Sequence, residues 1–523
     1  MMSRVCSRVL LASEQHHATE VTVSGYPRTM ADQTRRNFNR MVASTSALAM
    51  VGPVVPVAAA QGTSAGLVPD RSDEVRVAVV GLRGRGRNHY NALQQLDGVE
   101  VVALCDVDQM ILTDRAADFN ERYDREVDTE IDFRRLLERD DIHAVALATP
   151  NHWHALQTIW ACDAGKDVYV EKPVCHNLLE GRAMVEAARR HGRIVQTGTQ
   201  YRSCGANVAA IEWARNGNLG AIKAARGICY KPRRSIGKVT EPQVVPDHID
   251  YDLWVGPAPM KPLSRRNLHY DWHWDFDTGN GDLGNQGVHQ MDIARWMLGK
   301  RQLPPKVFSA GGRLGYEDDG NTPNTQVVVL DYPDVPLIFE VRGLPLNAAE
   351  QKDKWRMDQF LGSGITAILH CEGGDVVTRH GSSSALVLDP SGQEIMRFTG
   401  SSNHFADFID AVRTREAGDL TAEIDEGRVS AGLCHAGNVS YQLGQKGTAS
   451  ELLAEVGDHE FGRDSIERMI RHLEANEIDL DQPSLTIGPW LEIDPDTEQF
   501  SSAAANQQAR REARGPFTHE LLQ

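Results

Sequence analysis

Three glycines and one aspartate have the types and spacing needed to bind a dinucleotide. Gly81, Gly84 and Gly86 follow the apolar run of residues 77–80, and a stretch of helical character comes next. Glycines let the backbone turn tightly and approach a pyrophosphate, while the N-terminus of the following helix offers unpaired N–H groups. Asp106 lies 20 residues after Gly86, where its carboxylate can accept the ribose hydroxyls. Together these residues predict a strand–turn–helix–strand unit that binds NAD or NADP.

The glycine pattern departs from the usual spacing at one position, because Arg83 stands where G-x-G-x-x-G would have its second glycine. Gly84 can supply the missing freedom one residue later. The alternative is a glycine-rich turn in an α/β domain that binds no cofactor. Asp106 favours NAD because a carboxylate repels the 2′-phosphate of NADP, whereas the Arg83 guanidinium could pair with that phosphate. NAD is therefore the expected cofactor, and NADP stays possible.

The first half of the sequence alternates between short apolar runs and helical stretches. The runs read as buried strands, and they occur at residues 77–80, 99–105, 144–148, 167–170 and 194–197. This alternation predicts a Rossmann domain at residues 75–200, with a doubly wound parallel sheet. Open α/β sheets bind ligands beyond the carboxyl ends of their strands, so the segments after residues 148 and 170 are candidate ligand-binding segments.

From residue 201 onward, turns rather than helices separate the apolar runs. We expect a C-terminal α/β domain at residues 201–445 with a large, mostly antiparallel open sheet. Residues 446–523 form a C-terminal extension that matches no motif, and its polar stretch from residue 501 is predicted to be a mobile tail.

Composition excludes some classes of function. The net charge of −17 argues against a nucleic-acid partner, because the phosphate backbone would be repelled. The eight cysteines include no C-x-x-C pair of the kind that binds metal. We therefore expect free thiols and no metal site.

An export signal is predicted within the leader, residues 1–62. The twin arginine of residues 34–40 is followed by a moderately apolar stretch at residues 41–60, which ends in three alanines. This pattern resembles a twin-arginine signal, with Met30 as the start, and predicts a periplasmic or secreted protein that the twin-arginine machinery exports. A disordered basic leader with a chance Arg-Arg pair is the alternative. Because that route exports folded proteins, and no free nucleotide pool exists outside, we expect a tightly bound cofactor that is regenerated in place.

Four segments carry a resemblance to a known family. They are the glycine turn at residues 81–86, the TPNHWH sequence at 149–154, the Glu-Lys-Pro triplet at 171–173 and GDLGNQGVHQMDIARW at 281–296. The chain resembles the glucose-fructose oxidoreductase/inositol dehydrogenase (Gfo/Idh/MocA) family. The resemblance implies a Rossmann domain, a second domain whose open sheet carries the substrate site, and a homo-oligomer. It also implies NAD(P)-dependent chemistry at a carbinol carbon of a sugar or cyclitol.

Within this resemblance, Lys172 and His289 are the candidate catalytic residues. Oxidation of a secondary alcohol needs a base for the hydroxyl proton, and a partly desolvated lysine beside a nicotinamide has a lowered pKa. His289 could share the proton transfer or hold a substrate hydroxyl, with Asp292 three residues later. Many family members have an aspartate four residues before this histidine, whereas this chain has Asn285, which cannot accept a proton. The structural alternatives are that Lys172 is a surface residue paired with Glu171, and that His289 is a residue of the core.

Further residues are assigned to the site by the resemblance. The cofactor is expected to be lined by the residues of the glycine turn and by Thr149, Pro150, Asn151, His154, Glu171 and Lys172. Substrate is expected near Arg202, Tyr230, Trp272, Trp274, Asn285 and His289. The aromatic stretch at residues 270–275 could face a carbohydrate, since aromatic rings stack on the C–H faces of sugars. A subunit contact or core packing is the alternative for that stretch.

Three functions remain open from the sequence. The first is an exported NAD(P)-dependent oxidoreductase acting on a small carbohydrate or cyclitol. The second is a glycoside-cleaving enzyme with the same cofactor, in which transient oxidation acidifies a neighbouring C–H bond, elimination releases the leaving group and the hydride is returned. The third is a carbohydrate-binding protein without catalytic activity, suggested by Arg83 and Asn285.

Overall fold

The computed structural model describes residues 19–22, 74–401 and 403–523. Met30 and the proposed export signal at residues 34–60 lie outside the described residues. The first described element is a short strand, β1 (Thr19–Thr22). Within the described part of the chain, no helix is both long and apolar enough to cross a membrane.

Six parallel strands form the sheet of the first domain. They are β2 (Val75–Val80), β3 (Val99–Cys105), β4 (Asp128–Glu130), β5 (Ala144–Leu147), β6 (Asp167–Val170) and β7 (Val195–Thr197). Their order is β4-β3-β2-β5-β6-β7, so the chain starts in the middle of the sheet and winds outward in both directions. Strands β5 and β6 are buried along their whole length, as continuous apolar runs require. The doubly wound parallel sheet predicted for this domain is confirmed.

Helices cover both faces of this first sheet. They are α1 (Gly84–Gln94), α2 (Gln109–Tyr123), α3 (Phe133–Leu137), α4 (Asn151–Asp163) and α5 (Leu178–Arg190). The Asp108 carboxylate caps α2 by accepting from the backbone N–H groups of Met110 and Ile111. Helix α4 begins directly after Pro150, so most of the TPNHWH segment is the first turn of a helix.

Twelve strands form the second sheet. Besides β1 they are β8 (Ile222–Tyr230), β9 (Lys306–Gly312), β10 (Thr325–Asp331), β11 (Leu337–Arg342), β12 (Ile365–Cys371), β13 (Gly374–Arg379), β14 (Ser384–Leu388), β15 (Glu394–Thr399), β16 (Gln445–Gly447), β17 (Leu485–Ile487) and β18 (Leu491–Glu492). The order is β1-β15-β14-β13-β12-β8-β11-β10-β9-β17-β16, with β18 beside β9. Only the β8–β11 and β1–β15 pairs among these strands are parallel. The mostly antiparallel sheet predicted for this half is confirmed.

The remaining helices pack on both sheets. They are α6 (Gly205–Trp213), α7 (Tyr251–Val255), α8 (Leu268–Asp271), α9 (Gly281–Asn285), α10 (Gly287–Leu298), α11 (Ala348–Gln351), α12 (His404–Thr414), α13 (Ile424–Gln442), α14 (Ala449–Val456), α15 (Glu460–Ala475) and α16 (Ala503–Gln508). Helices α10 and α13 cover one face of the second sheet, and α14 and α15 cover β9 to β11 on the other. Helix α12 returns to the first domain, where Phe405 and Phe408 pack against Tyr169.

The C-terminal extension is ordered and is part of both domains. Its strands β17 and β18 pair with β9 in the second sheet. Its final residues return to the first domain, where the Phe517 ring is 1% exposed. The prediction of a mobile tail from residue 501 is therefore wrong. Although this stretch is mostly polar, three of its apolar side chains pack on the first domain, those of Phe517, Leu521 and Leu522.

Candidate active site

The glycine turn has the tight geometry that its sequence indicates. Gly81 has a φ of +81°, and a Cβ on this residue would lie 2.7 Å from the backbone of Ala148 and Thr149. A Cβ on Gly86 would lie 1.8 Å from the carbonyl oxygen of Gly81. Gly84 is the first residue of α1, and a Cβ there would meet no atom within 4 Å. The lack of side chains at Gly81 and Gly86 therefore allows the tight turn. At Gly84 the lack of a side chain leaves the space in front of the helix N-terminus empty.

Asp106 lies at the carboxyl end of β3 and faces this turn. Its carboxylate accepts hydrogen bonds from the backbone N–H of Leu82 at 2.7 Å and from that of Asp108 at 3.0 Å. Burial raises the pKa of Asp106, and the two N–H donors oppose that rise. These two hydrogen bonds hold the Asp106 carboxylate between the glycine turn and α2, where it can contact the ribose of a bound dinucleotide.

A cavity of about 140 Å³ opens beside Asp106 at the carboxyl ends of β2, β3 and β5. Its walls from the first domain include Thr149, Pro150 and the exposed Arg83. Five aromatic side chains give it apolar walls, namely Phe133, Trp153, Trp160, Trp254 and Trp272. Flat apolar walls beside an acid suit an adenine ring and its ribose, and the open helix N-terminus suits a pyrophosphate. The residues present therefore fit a dinucleotide.

Part of this cavity comes from the second domain, through residues 246–278, which we name the cover segment. Two of its histidines contact Asp108: His248 Nδ1 lies 2.9 Å from Oδ1 and His269 Nε2 lies 2.8 Å from Oδ2. The indole N–H of Trp153 donates to the carbonyl oxygens of Leu253 and Trp254, at 3.0 and 3.2 Å. The cover segment therefore lies across the mouth of the first domain, bonded to both sides of the cavity.

Glu171 lies behind the glycine turn and is 4% exposed. Its Oε1 is 2.6 Å from Arg85 Nε and 3.1 Å from His89 Nε2, both on α1. Burial favours the neutral carboxyl, but Arg85 and His89 outweigh burial and hold the pKa of Glu171 well below its ordinary value. Glu171 therefore joins the start of α1 to the end of β6, which favours a positioning role over direct cofactor contact.

Lys172 lies at the centre of the cleft between the two domains. Its side chain is half-buried, and Nζ donates to the backbone carbonyl of Asn285 at 2.8 Å. The Lys172–Pro173 peptide bond is cis, as the resemblance implies. Burial lowers the pKa of Lys172 to about 8, and the positive charges of Arg85 and Lys231 add to this against the opposing charges of Glu171 and Asp282. A group with this pKa can accept or donate a proton near neutral pH.

His289 lies beside Lys172 on α10, in contact with two other rings. Its ring centroid is 5.4 Å from that of Tyr201 and 5.9 Å from that of His380. Burial and the nearby Lys172 charge hold the pKa of His289 well below its ordinary range. Its Nδ1 is buried and has no hydrogen-bond partner in the described part of the chain. Asp292 does not hold this ring, because its carboxylate bonds to Arg202 and Ser430.

Three further residues around Lys172, namely Lys231, Gln286 and His380, were not identified from the sequence as site residues, and a fourth, His273, belongs to the aromatic stretch. Lys231 Nζ donates to Gln286 Oε1 at 3.0 Å, and Gln286 Nε2 lies 3.2 Å from His380 Nδ1. Burial lowers the pKa of His380 to about 4 and, with the Lys172 charge, that of His273 to about 3. Lys231 directly follows β8, so strand alternation could have placed it opposite Tyr230. His380 comes from the turn after β13, and no local pattern indicates its position.

The residues predicted to line the cofactor separate into two groups. Thr149 and Pro150 line the cavity beside Asp106. His154 is buried, with Nδ1 at 2.7 Å from the Pro173 carbonyl oxygen and Nε2 at 2.8 Å from that of Thr149. Asn151 Nδ2 donates to the Asn280 side chain. His154 thus connects the segments that follow β5 and β6, and Asn151 connects the first of these segments to Asn280.

Two residues predicted to contact substrate are oriented elsewhere. The Arg202 guanidinium is buried against the Asp292 carboxylate at 2.8 Å and lies 3.1 Å from that of Glu426. Tyr230 lies on the far face of β8, where its hydroxyl donates to Glu340 at 2.7 Å. The resemblance gives sequence positions, and it does not give the direction in which the side chain at each position points. The structure therefore corrects the substrate-binding assignment of both residues.

The aromatic stretch does not form one carbohydrate-facing surface. Trp272 lines the cavity beside Asp106 and stacks on His273, with ring centroids 3.6 Å apart. Trp274 is buried, and the Arg233 guanidinium lies 4.7 Å from its ring centroid. Trp272 belongs to the nucleotide cavity and Trp274 to the core, so neither supports the carbohydrate-facing interpretation. Asn285 remains beside Lys172 through its backbone carbonyl. Among the described residues, no cluster of histidine, cysteine, aspartate and glutamate could hold a metal ion.

Two segments of the chain match models of known families. Residues 75–199 match an oxidoreductase family with an NAD-binding Rossmann fold, and residues 219–326 match the C-terminal α/β domain of such oxidoreductases. A solved oxidoreductase domain protein from Kribbella flavida has the same fold, with a TM-score of 0.51 and 18% identity over 70% of this chain and 96% of that protein.

Curated relatives match only part of this chain. A "glycosyl hydrolase family 109 protein" of Shewanella baltica is 34% identical over 170 residues, which are 30% of this chain and 37% of that protein. A protein of the same name from another Shewanella strain is 35% identical over 130 residues, 24% of this chain and 28% of that protein. The matches thus span 37% and 28% of the length of these two relatives. The segments 75–199 and 219–326 are thus similar to the Rossmann domain and the C-terminal α/β domain of the Gfo/Idh/MocA oxidoreductase family.

Proposed function

We propose that this chain is an NAD-dependent enzyme that oxidises a carbinol carbon of a sugar or cyclitol, with Lys172 as the group that accepts the hydroxyl proton. The observation that carries this proposal is the position of Lys172, between the glycine turn and His289, with its pKa lowered to about 8. A lysine of ordinary pKa would be almost fully charged at neutral pH and could not act as a base.

The chain's own residues divide the work of binding and proton transfer. Asp106, the glycine turn and the aromatic cavity would hold the dinucleotide, and its nicotinamide, when bound, would accept a hydride. Lys172 would take the proton of the reacting hydroxyl, held in place by the Asn285 carbonyl. His289 and His380 are neutral at neutral pH because burial lowers both pKa values, so each can accept a hydrogen bond from a substrate hydroxyl.

Glycoside cleavage is the second candidate function, and two observations favour it. Relatives that match part of this chain carry the name glycosyl hydrolase family 109. The cleft also holds a second group beside Lys172 that could take part in proton transfer, since the buried Nδ1 of His289 has no hydrogen-bond partner among the described residues. Simple oxidation needs one acceptor, whereas oxidation followed by elimination needs a second group to remove the acidified C–H proton.

One experiment separates these functions. Protein purified without added nucleotide is incubated with aryl glycosides, and in parallel with free sugars and cyclitols plus NAD or NADP. Release of the aryl group without added nucleotide supports glycoside cleavage, and reduction of added nucleotide supports net oxidation. Extraction of the bound nucleotide tells NAD from NADP. Protein that neither retains nor binds NAD(H) would support the non-catalytic alternative and refute both enzymes.

We also propose that the protein is exported through the twin-arginine route with its cofactor already bound. The supporting features are the twin arginine at residues 34–40 and the covered nucleotide cavity, which suits a cofactor that stays with the fold. Replacing both arginines of this pair, Arg35 and Arg36, by lysine should leave the protein in the cytoplasmic fraction. Export unaffected by this replacement would refute the proposed route.

A further inference from the structure

The last residues of the chain lie against the outer side of the nucleotide cavity. We name residues 511–522 the C-terminal clasp. The Phe517 ring is 1% exposed and meets the Trp153 ring edge-on, with centroids 5.4 Å apart. Phe517, Trp153 and Leu156 form one buried cluster, joined by Trp160, Leu253 and Leu522. Trp153, Trp160 and Leu253 are also walls of the cavity beside Asp106, so the clasp supports these walls from behind.

Two arginines of the clasp bind the segments on either side of Trp153. Arg514 donates from Nε to the Gly256 carbonyl at 3.0 Å and from NH2 to the Asp252 carbonyl at 3.0 Å, and it pairs with the Asp252 carboxylate at 2.7 Å. Gly256 lies so close to the Trp153 indole that a Cβ there would be 2.2 Å from its ring atoms. Arg514 therefore fixes helix α7 of the cover segment, which carries Trp254, against Trp153.

Arg511 makes the corresponding attachment to the first domain. Its NH2 donates to the His152 carbonyl at 3.1 Å and pairs with the buried Glu180 carboxylate at 2.8 Å. At the end of the clasp, His519 Nε2 lies 2.9 Å from Asp163 Oδ2, and Glu520 pairs with Arg190. The clasp thus bonds to α4 and α5 of the first domain as well as to the cover segment, and joins the two.

We propose that the C-terminal clasp sets how long the nucleotide stays bound, by holding Trp153 and helix α7 closed over the adenosine end of the cavity. In this proposal the nucleotide leaves when the cover segment moves away from Asp108 and Trp153. The Arg514 hydrogen bonds and the Phe517 contact of the clasp are further interactions that must break before the cover segment can move. Phe517 and Arg514 are positioning residues, because neither lines the cavity. The inference rests on the proposed function only in requiring that the site binds a dinucleotide.

The test is nucleotide exchange, measured independently of catalysis. Wild type, Arg514→Ala and Phe517→Ala are loaded with isotope-labelled NAD, and loss of label is followed in excess unlabelled NAD. Arg510→Ala is the matched control, because Arg510 is an exposed neighbour whose side chain, among the described residues, donates only to the Asn506 carbonyl. We expect both clasp variants to release NAD at least about tenfold faster than wild type and the control to match wild type.

Hydrogen exchange of the backbone amides of α7 provides a second readout. The clasp variants should lose protection in Tyr251–Val255 and keep it in β5, which shows that the fold is intact. If a folded Arg514→Ala protein releases NAD at the same rate as wild type, the proposal is overturned. This test holds even if Phe517→Ala fails to fold. Wild-type protein that binds NAD but turns over no sugar or glycoside contradicts the proposed function alone, and the exchange rates then still decide the clasp. Wild-type protein that binds no nucleotide overturns both.

Discussion

The pKa of Lys172 can be tested by removing the positive charge of Lys231. Both ammonium groups face the same cleft, and the Lys231 charge is one cause of the lowered pKa of Lys172. Lys231→Met keeps most of the side-chain volume and removes that charge. The charged form of Lys172 then becomes less unfavourable, so its pKa must rise from about 8 toward the ordinary value of 10.5.

The size of the expected effect follows from the fraction of uncharged amine. A pKa of about 8 leaves about one Lys172 side chain in ten uncharged at pH 7, against about one in three thousand at the ordinary value. Each unit of increase therefore costs about tenfold in the rate of a base-dependent step at pH 7 and costs little above about pH 10. Activity lost by Lys231→Met at neutral pH should return as the pH rises.

Acylation of Lys172 measures this pKa without a known substrate. Only the uncharged amine reacts with acetic anhydride, so the rate of Lys172 acetylation, read by peptide mass spectrometry between about pH 6 and pH 10, gives its titration curve. Lys223→Met is the matched control, since Lys223 is exposed on the same strand, β8. A midpoint near 10.5 in the wild-type protein, or a midpoint that Lys231→Met leaves unchanged or lowers, would refute the electrostatic argument.

Further substitutions test the rest of the site. Lys172→Ala should lower kcat by about 10²- to 10⁴-fold, as loss of a general base does, while nucleotide stays bound; turnover equal to wild type would remove Lys172 from the mechanism. Gly84→Ala should leave thermal stability unchanged or slightly higher but weaken NAD binding in titration calorimetry, because its Cβ occupies the open space before α1. Gly86→Ala should lower the melting temperature strongly, because its Cβ overlaps the Gly81 carbonyl, and a normal melting curve would contradict the turn geometry. Glu171→Gln should lower the free energy of unfolding by about 2 kcal/mol in urea titration, since it leaves Arg85 without its carboxylate partner; an unchanged midpoint would assign that pair no structural role.

The first domain was predictable because most of its strands are largely apolar runs, and a glycine or an acid directly follows four of them, β2, β3, β6 and β7. The predicted run at residues 99–105 coincides with β3, and that at residues 167–170 coincides with β6. Helix α1 begins at Gly84, earlier than expected, because the first turn of a helix needs no hydrogen-bond acceptors upstream and can include glycines.

The site was only partly predictable, because its second half depends on long-range packing. Asp106 and Lys172 follow strands whose ends meet at one edge of a parallel sheet, so their proximity follows from sequence order. His380 reaches His289 from the turn after β13, and no local pattern encodes that contact. The misassignment of Tyr230 reflects strand alternation, since a shift of one residue along β8 moves a side chain to the opposite face.

The contact between Phe517 and Trp153 also bears on the order of events during synthesis. Phe517 follows Trp153 by 364 positions in the sequence. At the rate at which ribosomes extend a chain, roughly 20 to 70 s separate the appearance of the two residues. The first sheet is completed within that interval, and the glycine turn and Asp106 are already present, whereas residues 511–522 have not yet been made. A nucleotide can therefore meet an open first domain on the nascent chain, before residues 511–522 are there to enclose it.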